Sequence, residues 1–184
     1  MPHLQIVIAS TRPGRVGERF GRWFEGEARA HGGFDVEVVD LAEVALPFFD
    51  EPKHPRSGQY EHQHTKDWSA TVSRADAFVF VAPEYNHGYN AVLKNAIDFL
   101  HNEWADKPAG FVSYGGVASG TRMVQALKPV LLALRMVPVV ESVNIPFLQQ
   151  FLSEDGGVAP NDVMVVSAKA MLDELARVAG RLRS

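Results

Sequence analysis

Residues 77–82 read AFVFVA and are the strongest signal of a buried strand in this chain. A continuous apolar run that is rich in Phe and Val is typical of a strand covered on both faces. Four further strands are predicted on either side of it, at residues 4–9, 34–40, 109–114 and 137–140, with helical patterns between them. This alternation predicts βαβ units and a five-stranded parallel sheet, which is an α/β fold.

Hydrophobic spacing, glycine and proline indicate the bounds of the helices. The first helix begins near Val16 and ends at Gly32, and the last carries an apolar stripe from Met164 to Leu182. Between them, helices are predicted at residues 60–74, 91–104 and 121–134, with a kink or an irregular turn at Pro129. Residues 41–60 have the pattern of a long surface connection, and Pro138 suits an edge strand.

The composition narrows the class of protein. The chain has 184 residues, 18 basic and 22 acidic side chains and a net charge of −4, so we expect one domain over residues 1–184 and no nucleic-acid partner. The absence of cysteine excludes disulfides, thiolate catalysis and thiol-ligated clusters. No apolar run approaches the ~20 residues of a membrane span, and the first ten residues lack the basic segment of a signal peptide. We therefore expect a cytoplasmic protein without a membrane partner.

Ligands of parallel α/β sheets bind beyond the carboxyl ends of the strands, where three loops of this chain are expected to meet. The first of these loops, residues 10–17, reads STRPGRVG. Its hydroxyls, two arginines and adjoining helix N-terminus favour a phosphate. It matches neither the dinucleotide fingerprint nor the nucleotide-binding P-loop. An ordinary strand-to-helix turn with solvated arginines remains the alternative.

The second and third loops have the features of a site for a flat ring. Residues 83–90 read PEYNHGYN, in which the aromatic side chains offer a flat wall and Gly88 permits unusual dihedral angles. Residues 113–120 read SYGGVASG, whose adjacent glycines can present N–H groups to a ligand. The alternatives are a turn that covers the sheet edge and a flexible glycine loop.

Other kinds of chemistry have less support in the sequence. His62 and His64 have a metal-ligand spacing but no convincing third ligand nearby, so we predict solvated helix histidines and no metal site. No GxSxG elbow is present, which argues against a serine hydrolase. We assign no side chain a catalytic role.

Three groups of residues, taken together, form a specific pattern along nearly the whole chain. They are STRPGR at 10–15, PEYN at 83–86 with LKNAID at 93–98, and SYGG at 113–116 with GTR at 120–122. This pattern resembles the NAD(P)H-dependent FMN reductase family of flavodoxin-like proteins. The resemblance implies a flavodoxin-like three-layer sandwich with sheet order 2-1-3-4-5 and a bound FMN.

The resemblance also implies roles for individual residues. Those that would hold the FMN phosphate are Ser10, Arg12, Arg15, Val16 and Gly17. Those that would line one side of the isoalloxazine ring are Pro83, Glu84, Tyr85, Asn86 and Gly88. Those that would meet its pyrimidine end, with the two glycine N–H groups stabilising charge near N1, are Ser113, Tyr114, Gly115 and Gly116.

The activity implied by the resemblance is a two-step redox reaction that the cofactor carries. NADPH or NADH would give a hydride to FMN, and a quinone, an azo compound, a metal oxyanion or free flavin would then take the electrons. The alternative is a non-enzymatic FMN-binding protein that carries electrons or senses redox state.

The resemblance further implies a homodimer or homotetramer. The helices predicted at 91–104 and 121–134 carry more apolar surface than one sheet face needs, and their large side chains include Phe99, Trp104, Met123 and Leu134. Asp98 and Arg122 are the polar residues expected near that interface. The alternative is that these apolar residues simply cover the sheet.

Overall fold

A five-stranded parallel sheet forms the middle layer of the computed structural model, which describes residues 1–183. Its strands are β1 His3–Ile8, β2 Asp35–Asp40, β3 Ala77–Pro83, β4 Pro108–Tyr114 and β5 Val137–Ile145. The spatial order β2-β1-β3-β4-β5 confirms the expected topology. All residues of β3 are buried, because this strand has a neighbour on each side and helices over both faces.

Helices cover both faces of the sheet and complete three layers. Within residues 1–183 they are α1 Gly17–His31, α2 Leu41–Val44, α3 Gln63–Ser73, α4 Ala91–Asp98, α5 Thr121–Ala133 and α6 Asp162–Leu182. Short 3-10 turns lie at Pro55–Ser57, Asn102–Trp104 and Leu148–Phe151. On β3, Phe78 and Phe80 face the core under α3, α4 and α5, whereas Val79 and Val81 face the core under α1 and α6. The α/β, flavodoxin-like sandwich is therefore confirmed.

The helix predicted at 91–104 is shorter than its pattern suggested. α4 ends at Asp98, and Trp104 turns back so that its Nε1 donates a 3.1 Å hydrogen bond to the Ile97 carbonyl. Carbonyls in the last turn of a helix have no intrahelical partner, and the indole supplies one here. α5 remains helical across Pro129, which lies on the exposed side of the helix, where water can reach the carbonyl left free.

The fifth strand is longer than predicted. β5 continues to Ile145, well past the expected end at Val140. A register shift against β4 between Ala109 and Phe111 breaks the period-two alternation that would reveal such a strand in the sequence. As expected, Pro138 lies on an edge strand.

The apolar residues that suggested a subunit interface are used inside the chain. Phe99, Trp104 and Met123 are at most 1% exposed, and Leu134 packs against the core beneath α3, α4 and α5. Contrary to the prediction, these side chains do not exceed what one sheet face needs, because they pack in the same core as the bulky Phe78 and Phe80 of β3.

The last helix is amphipathic, as predicted. Met164, Ala168, Met171 and Leu175 are buried in the same core as α1, so α6 belongs to the same layer of the sandwich. In residues 1–183, no helix is long and apolar enough to span a membrane.

Candidate functional site

The three loops singled out in the sequence converge on one cavity of about 200 Å³ at the carboxyl edge of the sheet. They meet there because β1, β3 and β4 are parallel neighbours, so the loops that follow them leave the sheet at the same edge. The lining residues are Ser10, Arg12, Gly14, Arg15, Val16, Pro83, Glu84, Tyr85, Tyr114, Gly115, Leu148 and Gln149.

The first loop presents an unfilled helix N-terminus to the cavity. The Arg15 N–H donates to the Arg12 carbonyl over 3.0 Å, and Gly14 has a positive φ of 70° within this turn. α1 then begins at Gly17 with Val16 as its N-cap, and no side chain caps its first N–H groups. Uncapped N–H groups and the positive end of the helix dipole attract an anion. The geometry of this loop therefore fits a phosphate group.

The two arginines of the first loop differ in what they contact. Arg15 donates to both carboxylate oxygens of Asp40 at 2.5 Å and to the Ser10 carbonyl at 2.6 Å. Asp40 ends β2 and is 7% exposed, so Arg15 is held by a largely buried partner. Arg12 is exposed and has no ion pair within residues 1–183. Arg12 is thus the unpaired positive charge at the cavity.

The side chain of Tyr114 lies beside the first loop rather than beside Gly116. Its ring stacks on Phe20 of α1 with 5.3 Å between the ring centroids, and its hydroxyl lies against Gly17. Tyr114 is the last residue of β4, where neighbouring side chains point to opposite faces of the sheet, and this alternation directs it towards α1. The Tyr114 side chain therefore lies at the end of the cavity that the first loop forms.

Glu84 connects the second loop to the start of α5. Its carboxylate accepts a 2.5 Å hydrogen bond from Arg122 Nε and a 3.3 Å bond from the Arg122 backbone N–H. Burial by itself would raise the pKa of Glu84, but the hydrogen bond and charge of Arg122 outweigh burial and lower it. The Glu84 carboxylate is thus ionised, and its hydrogen bonds are made to Arg122 within the chain. Glu84 can therefore contact a ligand only through the part of its side chain that Arg122 does not cover.

A tight turn at residues 85–88 forms one rim of the cavity. The N–H of Tyr85 donates to the Gly88 carbonyl over 3.0 Å, and the N–H of Gly88 donates to the Tyr85 carbonyl over 2.9 Å. The positive φ angles belong to Asn86 (48°) and His87 (68°), not to Gly88 as predicted. The positive φ angles fall on these two residues because two-residue turns of type I′ need positive φ at both central positions and accept Asn well. Tyr85 is 40% exposed and presents its ring at the cavity mouth.

The third loop offers one of the two predicted N–H donors. The Gly115 N–H donates to the Ile145 carbonyl over 3.2 Å, so it is not free for a ligand, contrary to the prediction. The reason is the unexpected length of β5, because its last residue, Ile145, supplies the carbonyl that accepts this hydrogen bond. The Gly116 N–H has no acceptor within residues 1–183 and remains available. Ser113 lies behind the loop, its hydroxyl 2.8 Å from both the Ser119 carbonyl and Asn144 Oδ1.

Sequence reasoning missed the contribution of β5 to the site. Leu148 and Gln149 line the cavity from the 3-10 turn that follows this strand. The rule that carboxyl ends of parallel strands meet would have found them, had the end of β5 been recognised. The structural role of Asn90 was missed as well. Its Nδ2 donates a 2.7 Å hydrogen bond to the Ala9 carbonyl and so connects the start of α4 to the end of β1.

The two histidines considered for metal binding have other contacts. The rings of His62 and His64 stack 5.2 Å apart, and His64 Nε2 lies 2.9 Å from Asp50 Oδ1. Within residues 1–183, no group of three or more histidine, cysteine, aspartate or glutamate residues is placed to hold a metal ion.

Comparison with known proteins identifies the group to which the chain is similar. The family model described as NADPH-dependent FMN reductase matches residues 2–150. An NAD(P)H-dependent FMN reductase of Schizosaccharomyces pombe is 39% identical over 149 residues, which cover 79% of this chain and 74% of that protein. An NAD(P)H:quinone oxidoreductase of Solanum tuberosum is 31% identical over 156 residues, covering 82% and 78%.

Among solved structures, the flavoenzyme NAD(P)H:(acceptor) oxidoreductase FerB of Paracoccus denitrificans superposes with a TM-score of 0.79 at 19% identity, covering 98% of each chain. At that identity the likeness shows the fold, whereas the match over residues 2–150 and the sequence relatives show the family. This chain therefore belongs to the NADPH-dependent FMN reductase family.

Proposed function

We propose that the protein is an FMN-dependent oxidoreductase that transfers reducing equivalents from NADPH or NADH to a small acceptor, with a quinone as the leading candidate. The observation that carries this proposal is the convergence of the loops after β1, β3 and β4 on one cavity. The family to which the chain belongs supports FMN and NAD(P)H as its cofactors. The name of the Solanum tuberosum relative, an NAD(P)H:quinone oxidoreductase, supports a quinone as acceptor.

The residues of the cavity fit FMN at its two ends. The uncapped start of α1, Ser10 and the unpaired Arg12 supply donors and charge for a phosphate. Pro83 and Tyr85 supply a flat wall for a ring. Gly116 does not itself line this cavity but follows Gly115, which does, and its free N–H supplies a donor where the ring becomes electron-rich. In this arrangement Val16 and Gly17 contribute backbone, and Glu84 and Ser113 hold the loops in place.

Arg15 has a positioning role in this proposal. Its ion pair with Asp40 joins the first loop to the end of β2, so that the loop keeps its shape before the cofactor enters. The pair is neutral as a whole, which leaves Arg12 and the N–H groups of α1 to face the phosphate.

Bound FMN supplies hydride and single-electron chemistry that side chains lack. Over a complete turnover, a hydride from NAD(P)H and a proton from water convert a quinone into a hydroquinone and leave NAD(P)⁺. No side chain has to act as a general acid or base, because water can deliver that proton at the exposed mouth beside Tyr85.

An absorption spectrum and a turnover assay test the proposal. The purified protein, after addition of FMN and removal of the excess, should show a flavin spectrum and oxidise NADPH or NADH rapidly when a quinone is present. Tight FMN binding without turnover would favour an electron carrier or redox sensor instead. A protein that binds no FMN on titration would refute the proposal, and parallel assays with azo dyes, chromate and free flavin would define the acceptor.

We further propose a homodimer or homotetramer in the cytoplasm, formed by one FMN-binding domain over residues 1–184. The exposed apolar side chains that support an interface are not those expected, since Phe48 is 88% and Phe49 40% exposed beside α4. Asp98, which pairs with Lys94 on that helix, lies near this surface, whereas Arg122 is engaged by Glu84. Light scattering of the wild type and of Phe48→Ser tests the assembly, and an unchanged mass would reject this surface.

A further inference from the structure

The hydroxyl group of Tyr114 is buried without a hydrogen-bond partner. The residue is 3% exposed, and stacking on Phe20 fixes the ring in place. Buried polar groups in folded proteins nearly always have a partner, so an unpaired hydroxyl at a cavity calls for a group that the chain does not supply. Because Tyr114 also lines the cavity of the first loop, that group would be a ligand in the cavity.

The first turn of α1 is shaped around this hydroxyl. A Cβ atom on Gly17 would lie closer to Tyr114 Oη than real Cβ atoms come to other atoms, and 3.3 Å from Ser10 Cβ. Glycine at this position therefore lets the hydroxyl approach the helix N-terminus. The same N-terminus carries the uncapped N–H groups that fit a phosphate.

The charge state of Tyr114 suits a donor to an anion. Burial raises the pKa of its hydroxyl, while nearby Ser10, Arg15 and Arg12 lower it by less, and the net shift is upward. Ser10 is near enough to affect this pKa but does not complete a hydrogen bond with Tyr114 Oη. The hydroxyl therefore stays protonated near neutral pH and can give its proton to a hydrogen bond with phosphate oxygen.

We propose that Tyr114 Oη donates a hydrogen bond to the phosphate of FMN and thereby helps the protein to select FMN over riboflavin, which lacks that phosphate. The inference rests on the proposed function, and it moves Tyr114 from the pyrimidine end of the cofactor to its phosphate end. Tyr114 acts here as a binding residue for the cofactor and takes no part in hydride transfer.

The test compares two flavins on three flavin-free proteins: the full-length wild type, Tyr114→Phe and Tyr89→Phe. Tyr89 is a matched control, because it packs against the core under α3, α4 and α5 and does not line the cavity. Quenching of flavin fluorescence gives the Kd of each protein for FMN and for riboflavin. Tyr114→Phe should weaken FMN binding by about tenfold, the usual effect of one hydrogen bond to a charged group, and leave riboflavin binding unchanged. Tyr89→Phe should match the wild type for both.

Thermal melting supplies a readout that a purely structural role would not produce. Without flavin, Tyr114→Phe should melt at or above the wild-type temperature, because the change removes an unpaired buried hydroxyl. With saturating FMN, its gain in melting temperature should be smaller than that of the wild type, and with riboflavin the two gains should agree.

The outcomes separate this inference from the proposed function. If the wild type binds FMN and Tyr114→Phe binds it equally well, or if the variant loses FMN and riboflavin affinity to the same extent, the assignment of Tyr114 to the phosphate is wrong while the proposed function stands. If the wild type binds neither flavin, the proposed function fails and this inference fails with it.

Discussion

Arg15 and Asp40 form a bidentate ion pair that joins the loop after β1 to the end of β2. The pairing of β1 with β2 places Ile8 beside Asp40, so a carboxylate 25 residues further along the chain reaches the first loop. The side chains of Arg15 and Asp40 are 17% and 7% exposed, so solvent screens this pair weakly. The arginine that the sequence pattern assigns to a phosphate is therefore already neutralised before any ligand binds.

Asp40→Asn should loosen the first loop, because Arg15 loses the ionised partner that joins this loop to the end of β2. We expect FMN to bind several-fold more weakly, because the first loop then no longer keeps its shape before the phosphate enters. The free energy of unfolding without flavin should fall by about 2 kcal/mol, since one partner of a buried pair is lost. Asn can keep the N-cap bond that Asp40 accepts from the Ala42 N–H.

Titration of FMN at low and high salt checks this prediction, with Asp98→Asn as a control of equal charge change away from the cavity. Tighter FMN binding by Asp40→Asn, with a steeper dependence on salt, would show instead that the released Arg15 contacts the phosphate and that its ion pair does not position the loop.

Glu84→Gln should destabilise the protein at neutral pH by about 1–2 kcal/mol, because Arg122 and the start of α5 lose an ionised partner that is 7% exposed. The folded pKa of Glu84 lies below its ordinary value of 4.5, so its stabilising effect is present above pH 4.5 and is lost as the pH falls through the folded pKa.

Urea unfolding over an acidic pH series checks both parts of this prediction. The gap between wild type and Glu84→Gln should narrow towards low pH, whereas the exposed control Glu154→Gln should show little gap at any pH. A gap that is constant with pH would contradict a contribution from the ionised carboxylate.

Gly17→Ala should reduce stability and FMN affinity, because the new methyl group meets Tyr114 Oη. Tyr114→Phe removes that oxygen, so the double variant should be more stable than Gly17→Ala alone. Thermal melting of the four proteins in this cycle measures the coupling between the two positions. Additive effects would mean that the hydroxyl and Gly17 do not touch.

Lys107→Met should flatten the dependence of stability on pH above neutrality. Burial lowers the pKa of Lys107 to about 8, although Asp76 and Glu103 oppose the shift. Between pH 8 and the ordinary lysine value of 10.5, the unfolded chain keeps a proton that the folded chain has lost, so wild-type stability should rise with pH relative to the variant.

Urea unfolding of the wild type and of Lys107→Met between pH 7 and pH 9.5 measures this difference in stability below the pH at which tyrosines ionise. A difference between the two that stays constant across this range would show that Lys107 keeps its proton in the folded state.

The elements of the fold were largely predictable, and the two misses are ends of elements that contacts with other parts of the chain decide. The strands, the glycine end of α1 and the apolar stripe of α6 follow from local periodicity, which depends on which residues face the core. The end of β5 was missed because a register shift against β4 removes its alternation. The end of α4 was missed because Trp104, which donates to the Ile97 carbonyl, lies beyond the helix itself.

The sequence by itself determined the five strands, the flanking helices and the three loops that line the cavity, because each depends on the residue pattern of one continuous segment. The tertiary structure alone decided what the side chains in those loops contact. Arg15 forms an ion pair with Asp40, the N–H of Gly115 donates a hydrogen bond to the Ile145 carbonyl, and the hydroxyl of Tyr114 faces α1. These pairings join residues from different strands, and their choice depends on strand order, register and burial, none of which a local pattern contains.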